Sequence, residues 1–426
     1  MKVKRYRLFK IPDEKNNSVI GFIPELFRIY RFNSKGVATI PDYVRSDDSV
    51  ETNLGKLYVS NIIKGKLIVT NKCNLSCAYC YSDCGPRKTS VMSEKIAYAA
   101  IDYLIQKAKK LNVHKVYLSF FGGEPTQAWQ LIQNITTYFD KCIVDAKLQR
   151  HIGINTNGVF TIEQARWLAE NLDSITISLD GFKTIHDIHR SGSFDQAFNT
   201  AQILYKEQPH KLAIRSTVSD ISVNSLPKIA EFFGNNFPHC VQMYEPLSPI
   251  GRGQSCTILK PPDPTLFFTK FLEAARIAAK YDAIVHTSVL QFKPLSDGAF
   301  CGANGRNFIV VYDGRVISCH RMDEEIDPVA SFFHYGCFNE NMGKFVFDYR
   351  KKKGLEKKLN AENISDCRNC FAYYFCRGDC PANKAALFPK TFWKEPSDKC
   401  KAIQEFAKAT LKYFLNYGPQ GLIRQE

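Results

Sequence analysis

Short apolar runs alternate with amphipathic stretches through the middle of the chain. Each run is rich in β-branched and aromatic residues, and each following stretch repeats its apolar positions with helical spacing. The predicted strands are 66–70, 115–123, 151–158, 174–181, 211–219 and 240–247. The predicted helices are 93–111, 130–144, 161–171, 195–207, 225–234 and 265–280. Strands that alternate with helices form a parallel sheet with right-handed crossovers, so the pattern predicts six βα units.

Six units are too few to close an eight-stranded barrel. The pattern therefore predicts an α/β fold, an open and partial (β/α)6 barrel of the TIM type. In such a fold the functional site lies at the carboxyl ends of the strands. Polar or glycine-rich stretches occupy those ends: FGGEP, NTNG, SLDG, RSTVS and PIGRG.

The two flanking regions break this alternation. Residues 1–63 contain apolar stretches around the turn sequence NSKG, which predicts a small β-containing segment. Residues 286–426 are rich in loops and hold eight of the fifteen cysteines. That composition indicates a region organised by bound metal more than by a large apolar core. The predicted regions are therefore 1–63, 64–285 and 286–426.

The charge of the chain is strongly positive. Lysine and arginine number 57 against 42 acidic residues, which gives a net charge of +15 and a surface that attracts acidic partners. The densest block, KKKGLEKK at 351–358, is typical of an exposed helix end or loop, so charge alone does not favour a nucleic-acid partner.

The sequence also bears on location. No apolar run approaches the ~20 residues of a membrane span, and no secretory signal follows the basic N-terminus. We therefore expect a cytoplasmic protein without a membrane partner. In a reducing compartment the odd count of 15 cysteines favours metal ligands over disulfides.

Three closely spaced cysteines follow the first predicted strand. Cys73, Cys77 and Cys80 have the spacing C-x3-C-x2-C. A structural zinc site uses four ligands and usually combines two C-x2-C pairs, whereas three thiolates suit a 4Fe–4S cluster with one open iron. An open iron can bind a small molecule through an amino and a carboxylate group. Cys84 lies off this spacing, and we predict that it is not a ligand.

This stretch resembles the signature of the radical S-adenosylmethionine (SAM) superfamily, including the aromatic Tyr79 before the third cysteine. The resemblance implies that a 4Fe–4S cluster binds SAM beside Tyr79. It also implies a site for the SAM amino group, residues near the ribose, an arginine that pairs with the SAM carboxylate, and an adenine-side turn. The implied amino-group site is Gly122, Gly123 and Glu124, and the implied neighbours of the ribose are Ser178 and Asp180. The implied partner of the carboxylate is Arg215, and the implied adenine-side turn is GRG at 251–253.

The tail carries a second cysteine pattern. Its spacings resemble those of the SPASM extension of radical SAM enzymes, which holds two auxiliary 4Fe–4S clusters. The resemblance assigns one cluster to Cys367, Cys370, Cys376 and Cys400, and the other to Cys301, Cys319 and Cys380. The fourth ligand of the latter stays open: Cys337, Cys256 or none. Together with the SAM-binding cluster, the resemblance implies three 4Fe–4S clusters.

Two enzymatic functions compete. Both begin with cleavage of SAM to a 5′-deoxyadenosyl radical that removes a substrate hydrogen. The first is a maturase that cross-links side chains of a ribosomally made precursor peptide (a RiPP) by a thioether, carbon–carbon or ether bond. The second is an anaerobic sulfatase-maturating enzyme, which forms formylglycine.

Two features favour the peptide maturase. Sulfatase maturases place their first cysteine motif near the N-terminus, whereas 72 residues precede Cys73 here. They also carry aspartate where this chain has His320, directly after Cys319. His320 and Asp180 are the candidate catalytic residues.

The predicted partners are the precursor peptide and an electron donor such as flavodoxin or ferredoxin. Residues 1–63 either receive the leader of the peptide, as an added strand, or cap the barrel. A hypothesis of another class is a basic zinc protein that binds nucleic acid. The cysteine triplet and the βα series both argue against it.

Overall fold

The computed structural model describes most of the chain. The described residues are 8–14, 17–23, 28–32, 38–39, 62–291, 298–322 and 329–423. The predicted NSKG turn lies outside them.

An antiparallel sheet forms from the N-terminal residues. Its four strands, in sheet order, are β1 (Phe9–Asp13), β2 (Ser18–Ile23), β3 (Arg28–Phe32) and β4 (Ala38–Thr39). The sheet packs against the C-terminal part of the chain. Phe22 stacks on Phe375 with ring centroids 5.2 Å apart, and Lys412 Nζ lies 2.6 Å from the buried Asp13 carboxylate. The predicted β-structure is thus present, and these contacts join it to the tail.

The predicted βα series is confirmed. Its parallel strands are β5 (Ile62–Thr70), β6 (Lys115–Gly122), β7 (Gln149–Thr156), β8 (Ser174–Ser178), β9 (Leu212–Val218) and β10 (Val241–Pro246). The helices are α1 (Glu94–Lys110), α2 (Trp129–Ala146), α3 (Ile162–Asn171), α4 (Lys183–His189), α5 (Phe194–Glu207), α6 (Leu226–Asn236), α7 (Arg252–Ser255) and α8 (Pro264–Ala279). Of these, α4 and α7 were not predicted.

Alternation along each strand separates the core from the site. On β6, Val116, Leu118 and Phe120 are fully buried in the main apolar core, which also contains the buried faces of the helices. Phe121, the residue directly after Phe120, lines a cavity instead. Successive strand residues point to opposite faces, so one face of the sheet is apolar and the other is free to carry polar side chains.

Local capping explains where the helices start. The Ser93 hydroxyl accepts a hydrogen bond from Ile96 N at the start of α1. Thr161 and Gln164 form a reciprocal capping box at the start of α3. Each cap satisfies backbone N–H groups that the first helical turn leaves without partners.

The tail extends the same sheet at both edges. β11 (Ile284–His286) pairs with β10, so the predicted boundary at residue 285 falls inside a strand. At the other edge β12 (Phe308–Val310) pairs in parallel with β5, and β13 (Arg315–Ile317), β14 (His334–Asn339) and β15 (Lys344–Phe347) continue as an antiparallel meander. The described part of this sheet has eleven strands.

The expectation that the tail lacks a large apolar core is wrong. Its helices are α9 (Ala330–Phe333), α10 (Tyr349–Lys358), α11 (Tyr373–Cys376), α12 (Pro381–Leu387) and α13 (Cys400–Tyr417). Phe406 of α13 stacks on Phe268 of α8 with centroids 4.2 Å apart. The buried residues of α13 recur three to four positions apart, which gives that helix one apolar face. The tail and the barrel therefore share one apolar core.

Within the described residues, we find no helix with the length and apolarity needed to cross a lipid bilayer.

Candidate active site

A cavity of about 160 Å³ opens at the carboxyl ends of the parallel strands. It is lined by the loop after β5, the end of β6 with the loop after it, and the ends of β7 to β10, together with Arg190, Arg252 and, from the tail, Arg321. The predicted site residues at this cavity are Cys73, Cys77, Tyr79, Cys80, Gly122, Gly123, Glu124, Ser178 and Arg215. The strands thus bring together residues that are up to 142 positions apart in the sequence.

The cysteine triplet lies on the loop after β5. Cys73 N donates to Gly85 O at 3.3 Å, and Arg252 N donates to Cys80 O at 2.9 Å, so the loop is tied to itself and to α7. Burial raises the pKa of Cys73 to about 12 and that of Cys77 to about 11. A bound cation would supply the positive charge that the thiolate forms require here.

The donor set fits an iron–sulfur cluster better than a zinc ion. The Cys73 thiol is influenced by the charges of both Cys77 and Cys80, and all three line the cavity. Among the residues that the structure describes, no three His, Cys, Asp or Glu side chains are grouped to hold a single metal ion. A 4Fe–4S cluster takes one thiolate on each of several irons, so its ligands stand further apart than those of zinc.

Cys84 is buried against this loop. It packs with Cys73 and Leu75, and its Sγ donates to Ser82 O at 3.6 Å. The adjacent Cys84 side chain is the largest influence on the Cys80 thiol and lowers its pKa. Cys84 therefore contacts the triplet, and its exclusion from the ligand set remains a prediction.

The glycines after β6 allow two loops to touch. Gly123 N donates to Thr70 O, and Glu124 N donates to Lys72 O, both at 2.9 Å. A Cβ atom at Gly122 would lie 2.3 Å from Thr70 O, and one at Gly123 would lie 2.4 Å from Lys72 O. Any larger residue would therefore separate the loop after β6 from the cysteine loop.

The side chain of Glu124 holds the same loop in place through hydrogen bonds. Its buried carboxylate accepts hydrogen bonds from Thr126 N, Thr126 Oγ1 (2.9 Å), Thr156 Oγ1 (2.8 Å) and Asn157 N (2.7 Å). Burial is the largest influence on Glu124 and raises its pKa. The side chain fixes the backbone between Gly122 and Glu124, where the resemblance places the SAM amino group.

Asp180 is the centre of a buried hydrogen-bond network. Its Oδ2 accepts from Tyr79 Oη at 2.5 Å and Arg190 Nε at 2.8 Å and lies 3.2 Å from His189 Nδ1, while its Oδ1 accepts from Thr217 N at 2.8 Å. Burial alone would raise the pKa of Asp180, but Arg190 and His189 outweigh it and hold the pKa well below its ordinary value.

This geometry argues against the predicted catalytic role of Asp180, because the carboxylate is ionised and its acceptor positions are occupied. It supports a positioning role, in which Asp180 joins Tyr79 of the cysteine loop to α4 and β9. The sequence analysis missed Arg190 and His189. Their spacing from His186 could have indicated that the three side chains lie together, since residues three and four positions apart share one face of a helix.

Ser178 and Arg215 are direct neighbours across β8 and β9. Within the described residues, no carboxylate lies within 4.0 Å of the Arg215 guanidinium. Its charge is therefore free for an anionic group of a ligand in the cavity.

His320 does not line the cavity itself, but its ring packs edge-on against Tyr81 and Phe121, which do. Its ring centroid is 5.8 Å from that of Tyr81 and 5.3 Å from that of Phe121. Burial lowers the pKa of His320 well below its ordinary value, and the charges of Lys66, Arg321 and Arg215 add to this effect. Burial and the neighbouring cations thus both favour the neutral imidazole.

Lys66 is a third residue near the cavity that was not predicted. Its Nζ lies 4.5 Å from the centroid of the Phe121 ring, and burial followed by the charge of Arg215 lowers its pKa to about 8. The signal was a lysine inside the apolar strand IIKGKLIVT, at a position that alternates with core residues.

The tail cysteines form two groups. The charges of Cys301, Cys319 and Cys380 influence one another, and so do those of Cys367, Cys370, Cys376 and Cys400. These are the two sets that the SPASM resemblance implies. Cys337 is exposed on β14, and Cys256 follows α7, so the fourth ligand of the first group stays open.

The sequence and the fold both match known proteins. Residues 67–232 match the radical SAM superfamily. Over 345 residues the chain is 27% identical to the cysteine-type anaerobic sulfatase-maturating enzyme of Clostridium novyi (strain NT), covering 75% of this chain and 88% of that protein. Over 399 residues it is 24% identical to the radical SAM cyclopropyl synthase TigE of Paramaledivibacter caminithermalis, covering 86% of this chain and 76% of that protein.

Two solved structures have a similar fold. One is native anSMEcpe with bound AdoMet and Cp18Cys peptide, with a TM-score of 0.65, 18% identity and coverage of 84% of this chain and 98% of that one. The other is Streptococcus suis SuiB bound to S-adenosylmethionine, with a TM-score of 0.57, 15% identity and coverage of 82% and 81%. Residues 67–232 thus form a radical SAM domain, the kind of domain that uses SAM and a 4Fe–4S cluster, and over most of its length the chain is similar to radical SAM enzymes that modify peptides or proteins.

Proposed function

We propose that the chain is a peptide maturase that cross-links side chains of a ribosomally made precursor peptide by a thioether, carbon–carbon or ether bond. The observation that carries this proposal is His320. Its imidazole packs against Tyr81 and Phe121, directly after Cys319, where sulfatase maturases carry aspartate.

The residues at and beside the cavity have different proposed roles in the reaction. Cys73, Cys77 and Cys80 would hold the first cluster, Gly122–Glu124 would bind the SAM amino group, and Arg215, beside Ser178, would pair with the SAM carboxylate. When bound, the reduced cluster supplies the electron that cleaves SAM and produces the radical. Phe121 and Tyr81 exclude water from the cavity. His320 accepts the proton that the substrate side chain releases.

Two auxiliary clusters complete the proposed cofactor set. Cys301, Cys319 and Cys380 hold the cluster nearer to the cavity, since Cys319 directly precedes His320. Cys367, Cys370, Cys376 and Cys400 hold the outer one. Arg321 links this part of the tail to the barrel, because its Nη1 donates to Ser248 Oγ at 3.0 Å and to Asn383 Oδ1 at 2.7 Å.

The N-terminal sheet is the proposed contact for a leader peptide. β1 is an edge strand of the described sheet, and an extended peptide can add to such an edge through backbone hydrogen bonds. Phe9 contacts Tyr374 and Phe22 contacts Phe375, so this sheet lies beside the auxiliary-cluster region. A bound leader would thus be held on the side of the molecule where the tail cysteines lie.

The decisive experiment co-expresses this protein with each small open reading frame found in its gene neighbourhood. We expect the co-expressed peptide to lose two hydrogen atoms for each cross-link, and tandem mass spectrometry to locate the bond. A cysteine that loses one sulfur and two hydrogens and gains one oxygen would instead identify formylglycine. That alternative is favoured by the 27% identity to the C. novyi sulfatase-maturating enzyme, and the Cp18Cys peptide is its test substrate.

Lys384 is predicted to raise the reduction potential of the auxiliary clusters. Its side chain is 4% exposed, and its Nζ donates to Glu395 O at 3.0 Å. The charges of Cys367 and Cys376, from one group, and of Cys380, from the other, all act on it. A buried cation between two clusters stabilises their reduced forms.

We expect Lys384→Met to lower the ratio of reduced to oxidised auxiliary cluster, at a fixed potential, by about tenfold. The measurement is a redox titration followed by electron paramagnetic resonance. Lys384→Arg keeps the charge and should keep the potential. Lys390→Met removes an exposed lysine of the same region and is the matched control. Unchanged potentials in Lys384→Met would contradict this role.

A further inference from the structure

The helix α10 concentrates positive charge on the surface. Six of its ten residues are basic and one, Glu356, is acidic. Leu355 is the single buried residue of this helix, and the basic side chains are exposed except for the half-buried Lys352. The basic residues are Arg350, Lys351, Lys352, Lys353, Lys357 and Lys358. We call these six residues the basic helix surface.

The charges of this surface are not neutralised by carboxylates of the described residues. In the part of the chain that the structure describes, none of the six has a carboxylate within 4.0 Å. Lys352 and Lys358 lie over aromatic rings, at 5.8 Å from Tyr335 and 4.5 Å from Trp393. Like charges four positions apart destabilise a helix, so this arrangement costs stability and points to an external partner of opposite charge.

The basic helix surface lies over the Cys301 group. α10 contacts the turn at Gly302–Asn304, which directly follows Cys301. A Cβ atom at Gly305 would lie 3.2 Å from Lys352 O. Lys358 and Cys301 also line the same cavity of about 20 Å³. The surface is therefore the exterior of the site proposed for one auxiliary cluster.

We propose that the basic helix surface docks a small acidic electron-transfer protein, a flavin or iron–sulfur protein, which exchanges electrons with the cluster at Cys301, Cys319 and Cys380. This inference rests on the proposed function. Redox encounters bury little area and are steered by complementary charge, which suits one exposed helix about 15 Å long.

The electron balance of the proposed reaction requires such an exchange. One electron enters to cleave SAM, and the resulting radical removes one hydrogen atom from the peptide. The peptide radical then loses a proton to a base and one electron as the new bond forms. That electron leaves through the auxiliary cluster, and the docked protein, in its oxidised form, accepts it.

The test is a triple charge reversal, Lys351→Glu, Lys353→Glu and Lys357→Glu, in the reconstituted full-length enzyme. Reduction of the auxiliary clusters is timed by stopped-flow absorbance in a Cys73→Ala/Cys77→Ala/Cys80→Ala background, with two reductants, an acidic flavodoxin or ferredoxin and the small ion dithionite. With the protein reductant at low salt, we expect the variant to be slower by tenfold or more. The difference should shrink at high salt, and the rate with dithionite should match that of the same background with the native helix.

A matched control carries the same charge change elsewhere. Lys141, Lys206 and Lys228 are exposed on α2, α5 and α6, and their reversal to Glu should leave both rates unchanged. An unchanged rate of the basic-helix variant with the protein reductant would overturn the docking site, as would equal loss with both reductants. Failure of both flavodoxin and ferredoxin to reduce the wild type would also overturn it.

The same charge reversal, made with Cys73, Cys77 and Cys80 intact, separates this inference from the proposed function. Peptide modification that is lost in the variant even with dithionite would assign the basic helix surface to an acidic peptide instead. Wild-type enzyme that cleaves SAM with dithionite but modifies no co-expressed peptide would refute the proposed function, while the comparison of reductants would still test the docking site.

Discussion

Replacing Cys73, Cys77 and Cys80 together by alanine is expected to abolish SAM cleavage. The three thiols line the cavity, and they are the ligands proposed for the cluster that donates the electron. Without them that cluster has no iron ligands, so the iron content should fall by about four atoms per chain while the auxiliary clusters remain. The measurements are 5′-deoxyadenosine by chromatography and iron by colorimetric assay, after anaerobic reconstitution.

Cys142→Ala is the control for this result. Cys142 lies on α2, outside the three cysteine groups, and its removal should change neither iron content nor SAM cleavage. SAM cleavage that survives the triple substitution would refute the ligand assignment. Zinc in place of iron would support the nucleic-acid-binding hypothesis instead.

Asp180→Asn is expected to lower the free energy of unfolding by roughly 3–5 kcal/mol, because it leaves the buried Arg190 without a counter-charge. Asparagine also accepts hydrogen bonds at only one of its two terminal atoms. The amide nitrogen would therefore face a donor, whether Tyr79 and Arg190 on one side or Thr217 N on the other. The measurement is denaturant unfolding under anaerobic conditions.

The matched control is Asp195→Asn. Asp195 also pairs with a cation, Lys183 at 2.5 Å, but its side chain is 77% exposed. An exposed ion pair contributes about 0.2–1 kcal/mol, so this variant should unfold close to the wild type. If both variants have the same unfolding midpoint, the Asp180 network does not hold the cysteine loop to the barrel.

The βα series could be predicted because its signal is local. In the stretch 93–111 the apolar positions recur every three to four residues, and the helix observed there runs from Glu94 to Lys110. The pairing of β12 with β5 left no such signal. Ile309 lies opposite Lys66 although 243 positions separate them, and short apolar runs do not identify their partners. The continuation of the sheet into the tail was therefore missed.

The candidate site could be predicted where its residues lie close together in the sequence at a characteristic spacing. The C-x3-C-x2-C triplet is such a case, and its ligand roles remain predictions. The network around Asp180 was not predictable, because a buried aspartate that positions its neighbours and one that takes a proton look alike in sequence. Its partners come from α4 and β9, and Lys66 comes from the neighbouring part of the sheet. Their convergence is a property of the fold.

The unbroken sheet also decides whether the radical-generating part can exist alone. A fragment that ends at residue 285 would leave the backbone groups of β5 unpaired where β12 normally lies, and it would uncover Phe268 of α8. A bare strand edge beside an exposed aromatic ring favours self-association of the fragment. Truncation before the tail should therefore produce aggregates, so the barrel and the tail need to be expressed together as one polypeptide.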